Sequence, residues 1–477
     1  MSGLSSLPVD RPNLILITTD QQRADCVGYA GETCVRTPHL DMLAKESRTF
    51  SRAYVDCPVC IPARTTLITG RQAHHNGCPS YQADHRIDHP RADFLGSLLT
   101  DAGYQTCLIG KTHWHTDSTF TAGFEQHLSF GRMRREMSRH LPLPPSPGVG
   151  ANELSAGLST VPPQWQSSAW AVTEALEFLQ ARDRSRPFCL WVSLIDPHPP
   201  NVIHEPYFSL YNHDDIPAPV MGNWSFAPEE MPYALQRLHI GNDHGAPSKA
   251  AIRQARGVYY GMITHLDAQL GRLFGALMRH GLWSDTAIAF SSDHGEMLFD
   301  HGFGFKGNLL EASARVPFLL RLPHARGGPR GASTDTLVQW ADLLPTFCEL
   351  AEARVPENVD GCSLVALLEG REESVRDNLH CQIDNQHAWQ EGAHKYLYFA
   401  DDGRELVFEP ARDPLDQHSL HADTALTERL RQRFIEHLRS ENHPHLLDDG
   451  SLLNLNRRLT EADRLNCLPW MGLSALD

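Results

Sequence analysis

The segment Cys57-Pro-Val-Cys60-Ile-Pro62-Ala-Arg64-Thr-Thr-Leu67-Ile-Thr69-Gly70-Arg71 gathers thiols, an arginine and a glycine stop within one short stretch of the 477-residue chain. Two thiols three positions apart suit a redox pair or half of a zinc site. No second Cys-x-x-Cys occurs, so a four-cysteine zinc site lacks its other half, and neither reading uses Pro62, Arg64 or Thr69-Gly70-Arg71. Pro62 fits the first turn of a helix running to about Thr69, where its missing N–H costs nothing, and Gly70 stops that helix. Residue 60 then stands at a helix N-terminus, where free N–H groups and the dipole favour an anion.

The other chemistry-bearing residues follow runs that read as buried strands. Asn13 to Thr19 is apolar and of strand length, and it ends in Asp20-Gln21-Gln22-Arg23. A carboxylate just past a strand's C-terminal end lies where α/β sheets bind ligands, although a helix N-cap is the plainer use of an aspartate. Tyr104 to Ile109 leads to Gly110-Lys111-Thr112-His113, and Phe188 to Leu194 leads to Asp196-Pro197-His198-Pro199-Pro200. Thr286 to Phe290 leads to Ser291-Ser292-Asp293-His294-Gly295-Glu296, with Lys306-Gly307 farther on. Taken singly, Lys111, His113 and Lys306 read equally as exposed loop residues, and His198 as a turn histidine stiffened by its prolines.

Taken together, Cys60-x-Pro62-x-Arg64 with Leu67-x-Thr69-Gly70-Arg71, Gly110-Lys111-x-His113, Asp196-Pro197-His198, Asp293-His294-Gly295-Glu296 and Lys306-Gly307 before Arg315-Val-Pro317 resemble the motifs of the formylglycine-dependent (type I) sulfatases, within the alkaline phosphatase superfamily. The resemblance runs over residues 12 to 440. It implies that Cys60 is oxidised by a formylglycine-generating enzyme to an aldehyde whose hydrate is the nucleophile. One hydroxyl attacks sulfur and expels the alcohol; deprotonating the other ejects sulfate and restores the aldehyde. It implies a metal held by Asp20, Gln21, Asp293 and His294 and touching residue 60. Calcium is the family habit, and magnesium or manganese suits the same donors. Arg64 would stabilise the hydrate, Lys111 and Lys306 bind sulfate, His113 act as elimination base, and His198 protonate the leaving oxygen. Gln21 stands where the family usually has a second carboxylate, a departure shared with phosphonate monoester and phosphodiester hydrolases of the superfamily. Those hydrolases are the alternative reading, and Lys111 and His113 count against it.

The resemblance also implies a large, mostly parallel mixed α/β sheet between helices, with a small C-terminal antiparallel sheet and helix. We divide the chain at residue 370, with the catalytic α/β domain over 1–370 and a smaller α+β subdomain with a terminal extension over 371–477. A hairpin over Lys395–Phe399 and Glu405–Glu409 and helices over Lys249–His280 and Thr424–Ser440 are expected, and His380, Gln382 and His394 are within reach of the site in such a layout. Residues 140–166 read as a Pro/Gly/Ser-rich insertion, His74-His75-Asn76-Gly77 as a loop, and 201–245 as loop-like. An arm in a homo-oligomer is one use for the residues after Ser440. The formal charge of −16 argues against a nucleic-acid partner but not against an anionic small-molecule or saccharide sulfate ester. No apolar run spans a bilayer and the N-terminus has no signal-peptide pattern, so a cytoplasmic protein is expected. Eleven cysteines without framework spacing fit reduced thiols.

Overall fold

The computed structural model describes residues 11–31, 33–82, 86–114, 120–141, 152–241 and 247–460. Residues 142–151 of the Pro/Gly/Ser-rich insertion lie outside them. Eight strands form one mixed sheet: β1 (Asn13–Thr19), β2 (Arg48–Tyr54), β3 (Gln105–Gly110), β4 (Gln126–Ser129), β5 (Phe188–Ser193), β6 (Thr286–Ser292), β7 (Phe318–Arg321) and β8 (Ala332–Gln339). Their order is β8-β2-β7-β6-β1-β5-β3-β4. Only β7 runs antiparallel to its two neighbours.

The central strand β1 shows why both faces are covered. Leu14 and Leu16 join one apolar cluster with Ala63, Leu67 and Leu344, while Ile15 and Ile17 join another with Leu179, Leu266 and Leu270. Period-2 alternation with both faces apolar requires helices on both sides. Helices Cys60–Thr69, Leu95–Asp101 and Leu343–Leu350 cover the first face; Ser167–Ala181 and the long Lys249–Arg279 cover the second.

A second, four-stranded antiparallel sheet has the simple order β9 (Asn378–Ile383), β10 (Gln386–Glu391), β11 (His394–Phe399) and β12 (Arg404–Phe408). Helix Thr424–Ser440 packs Leu430, Phe434 and Leu438 on Trp389, Tyr396 and Val407 of this sheet. Of the residues after Ser440, considered above as an oligomer arm, 441–460 are described and return to this sheet: the Leu455 N–H donates to the Ala400 carbonyl, and Arg457 pairs with Asp401.

Two further expectations are corrected. His74 to Asn76 belongs to a short helix, Ala73–Asn76, and the 201–245 segment contains helix Tyr233–Gly241. The ten cysteines among the described residues are all free thiols. No helix among the described residues is long and apolar enough to cross a membrane.

Candidate active site

Strand register brings the scattered motifs together. Thr19 of β1 pairs with Ser292 of β6, so the next residues, Asp20 and Asp293, emerge side by side. Thr18 also pairs with Ser193 of β5, and Gly110 of β3 pairs with the same serine, so Lys111 emerges beside them. Helix Cys60–Thr69 points its first turn at this edge. Arg64 lies one turn after Cys60, on the same helix face.

Arg64 joins the two carboxylates. Its Nε donates to Asp293 Oδ2 at 2.8 Å, its Nη2 to Asp20 Oδ2 at 3.3 Å and its Nη1 to Ser193 Oγ at 2.8 Å. Lys111 Nζ also pairs with Asp20 Oδ2. Each carboxylate thus spends one oxygen on a cation and turns the other inward. Asp20 Oδ1 lies 3.9 Å from Cys60 Sγ and 3.8 Å from His294 Nε2, Asp293 Oδ1 lies 3.5 Å from His294 Nε2, and Cys60 Sγ is 3.1 Å from that nitrogen. One donor atom from each of these four buried residues lies within 4.8 Å of the others. His294 Nδ1 sits 3.0 Å from the Gly295 carbonyl, which assigns the proton to Nδ1 and leaves Nε2 a free lone pair.

This donor set fits one divalent cation. Two buried carboxylates face each other: burial and Asp20 together push the Asp293 carboxyl above the usual range. At Asp20, burial and Cys60 push up, but Lys111, His198 and Arg64 prevail and hold the carboxyl low. An ion between the inward oxygens relieves the repulsion.

The sulfatase family profile matches residues 12–353, and a profile described as N-sulphoglucosamine sulphohydrolase, C-terminal, matches 299–440. An arylsulfatase of Clostridium perfringens is 32% identical over 449 residues, covering 88% of this chain and 92% of that one. The multifunctional alkaline phosphatase superfamily protein PehA of Trinickia caryophylli is 30% identical over 424 residues, covering 78% and 80%. The crystal structure of the phosphonate monoester hydrolase of Agrobacterium radiobacter superposes with a TM-score of 0.77 at 26% identity, covering 94% of this chain and 100% of that one. The chain belongs to the sulfatase family. It is therefore a sulfuric ester hydrolase, with the family's large mixed sheet and smaller antiparallel sheet.

In this sulfatase the buried floor carries a rim of half-buried nitrogen-bearing side chains: Lys111, His113, His198 and Lys306. Lys111 Nζ is 3.8 Å from Cys60 Sγ. Burial alone would raise the Cys60 thiol, but Lys111, Lys306 and His294, helped by a hydrogen bond with His113, hold it well below its ordinary value. Cys57 behaves oppositely. Burial and Asp56 push its thiol far up, and its Sγ points at the Pro79 carbonyl, 3.6 Å away. The two thiols of the Cys-x-x-Cys occupy unlike surroundings and form no disulfide.

Gln21 adjoins the four-atom cluster. Its side-chain oxygen accepts from Lys306 Nζ, its amide nitrogen donates to Glu296 Oε2, and its backbone N–H donates to Asp293 Oδ1 at 3.1 Å. Lys306 Nζ also reaches His198 Nε2 at 3.2 Å, while His198 Nδ1 lies 2.6 Å from the Pro199 carbonyl. His198 therefore carries its proton on Nδ1 and accepts from the ammonium at Nε2. Burial, then Lys306, pushes His198 down to about 4, so it is neutral at pH 7.

Two residues absent from the sequence-based site belong to its frame. Ser193 ends β5 and holds Arg64. Glu296 takes the Phe305 and Leu298 N–H groups at 2.6 and 2.8 Å, which ties down the loop before Lys306. Glu296 stood in the Asp-His-Gly-Glu motif and was legible there; Ser193 had no signal beyond ending a strand. His380 and Gln382 do not turn toward the site. They bond His387 and His443, respectively, in the C-terminal region. His394 begins β11 at a hairpin turn, opposite Glu391.

Proposed function

We propose that this chain hydrolyses a sulfate monoester through formylglycine at position 60, assisted by a divalent cation held by Asp20, Gln21, Asp293 and His294. The observation that carries this reading is the convergence of Cys60, Asp20, Asp293 and His294 on one buried point beneath Lys111 and Lys306. A bound cation, with calcium the first expectation, would draw charge off sulfur and acidify the attacking hydroxyl. Arg64 orients Asp20 and Asp293 and faces residue 60. Lys111 and Lys306 supply positive charge to the sulfate oxygens from fixed positions, the electrostatic term on which such sites chiefly rely. His113 accepts the proton whose loss from the second hydroxyl expels sulfate. His198 and Lys306 act as a pair on the leaving oxygen: the proton comes from the ammonium, the neutral imidazole accepts a second ammonium N–H at Nε2 and so orients that donor, and solvent reprotonates the amine after the alcohol leaves.

The test is a Cys60→Ala variant beside wild type coexpressed with a formylglycine-generating enzyme. We expect mass spectrometry to find the aldehyde at position 60 in wild type, and aryl sulfate turnover to disappear in the variant. Near-full activity in Cys60→Ala overturns the mechanism. Gln21 and the likeness to a phosphonate monoester hydrolase favour one second reading, a phosphonate monoester or phosphodiester substrate. Comparing kcat/KM for an aryl sulfate and an aryl phosphonate separates the two.

A further inference from the structure

Outside the active-site cluster, four buried polar atoms converge. His74 Nε2, His380 Nδ1, His437 Nε2 and Glu441 Oε2 are all buried and make no well-aligned hydrogen bond; the three histidines meet the carboxylate only as loose ion-pair contacts. Glu441 Oε2 lies 3.6 Å from His74 Nε2, 4.0 Å from His380 Nδ1 and 3.3 Å from His437 Nε2. Besides the active-site floor, His74, His380 and Glu441 are the one other group among the described residues whose ligand atoms all come within 4.8 Å of one another. Buried polar atoms held this loosely are short of full pairing, and one cation among them would satisfy them together.

We propose that these residues bind a zinc ion, with His74, His380 and Glu441 as three ligands and His437 as the fourth. Three imidazole nitrogens and one carboxylate oxygen are a borderline-soft donor set suited to zinc, unlike the oxygen-rich active-site set. Ligands 2.0–2.1 Å from a tetrahedral ion lie about 3.3 Å apart, and the three contacts to Glu441 Oε2, at 3.3, 3.6 and 4.0 Å, start at that edge.

The surroundings prepare the ligands. His380 Nε2 is 3.1 Å from His387 Nδ1, and His387 Nε2 is 2.8 Å from His445 Nδ1. If each ring donates from Nε2, the chain of hydrogen bonds is complete and His380 Nδ1 is left with a bare lone pair facing Glu441. His437 and Glu441 stand four apart at the end of helix Thr424–Ser440. The side chain of Glu441 is 24% exposed, which gives an ion a way in. The ion would clip together three segments distant in sequence: the short helix after the Cys60 helix, strand β9 and the C-terminal helix.

The test is metal content of the full chain after incubation with zinc and gel filtration. We expect wild type and Asp293→Asn to retain zinc at this site, and Glu441→Gln and His74→Gln to lose affinity by more than the roughly 10–100-fold that disturbing an outer partner costs. Cobalt added to a Cys60→Ala background should give the d–d bands of a tetrahedral nitrogen–oxygen site, and these should vanish in Cys60→Ala/Glu441→Gln. The proposal fails if wild type retains no zinc. It fails equally if Asp293→Asn, rather than Glu441→Gln, abolishes retention, or if the cobalt bands survive the glutamine substitution. None of these readouts depends on sulfatase turnover, so this site and the proposed mechanism stand or fall separately.

Discussion

His198 carries a tension between its place and its chemistry. Sequence resemblance makes it the leaving-group acid, yet its Nε2 accepts from Lys306 and its ring is neutral near pH 7. Donation by Lys306 itself resolves this: its ammonium gives a proton to the alcohol oxygen, while the imidazole accepts another of its N–H groups and fixes the direction of the donor. Leaving-group protonation matters in proportion to the basicity of the alcohol. His198→Gln should therefore reduce kcat on sulfates of weakly acidic alcohols by about 10²–10⁴-fold while sparing an activated aryl sulfate. Rates measured across phenols of graded acidity check this as a steeper leaving-group dependence. Equal loss on every substrate would show that His198 does not assist departure.

At the level of elements, the site depends on where strands end and how one helix is stopped. Gly70 closes helix Cys60–Thr69 in the left-handed region at φ 67°, and its carbonyl accepts from the Asp360 N–H. A β-carbon there meets Val359 Cγ1 at 3.0 Å. Gly70→Ala should destabilise the fold by about 1–2 kcal/mol from backbone strain, read as a lower urea midpoint at unchanged slope. A neutral outcome would mean that the helix end shifts freely. Legibility followed burial pattern. Strand β1 and helix Thr424–Ser440 appear at the residues their periodicity indicated, because each has an apolar surface to bury. The hairpin β9–β10 escaped notice because its buried positions include His380, Gln382, His387 and Gln390, polar residues that break the apolar signature. Strand β8 begins Ala-Ser-Thr-Asp-Thr, half exposed at the sheet edge, and reads as loop for the same reason. Motif residues were legible from order and spacing. The partners that fix them, Ser193 above all, come from cross-strand register, which one sequence does not display.

Across the whole molecule, the two sheets are joined by a buried ionic centre that also bears on the site. Lys395 of β11 donates to Glu311 Oε1 at 2.8 Å and to Asp416 Oδ2 at 2.9 Å, and Tyr54, the last residue of β2, hydrogen-bonds Glu311. Glu311 opens the short helix that follows the Lys306 loop, so the catalytic rim is anchored through this lysine to the C-terminal sheet. Burial prevails at Asp416, against Lys395 and aided by Glu311, and pushes it up to about 6. At Glu311 burial is outweighed by Lys395 and Arg315, and the carboxyl stays below its usual range. Lys395→Met removes the cation from buried Asp416 and leaves Glu311 with Arg315 alone, which should cost about 3–5 kcal/mol at pH 8. The sign of the pH effect follows. Without the lysine the Asp416 carboxyl takes up a proton still more readily in the folded chain than in the unfolded one, so lowering the pH neutralises it and restores stability to the variant. The gap between wild type and Lys395→Met in urea unfolding should therefore be largest at pH 8 and shrink toward pH 5. Adding Glu311→Gln and Asp416→Asn to the variant should recover much of the loss at pH 8 and flatten that pH dependence. A gap that stays constant with pH would mean that Lys395 acts through packing against Phe408, 5.5 Å from its ammonium, and not through charge.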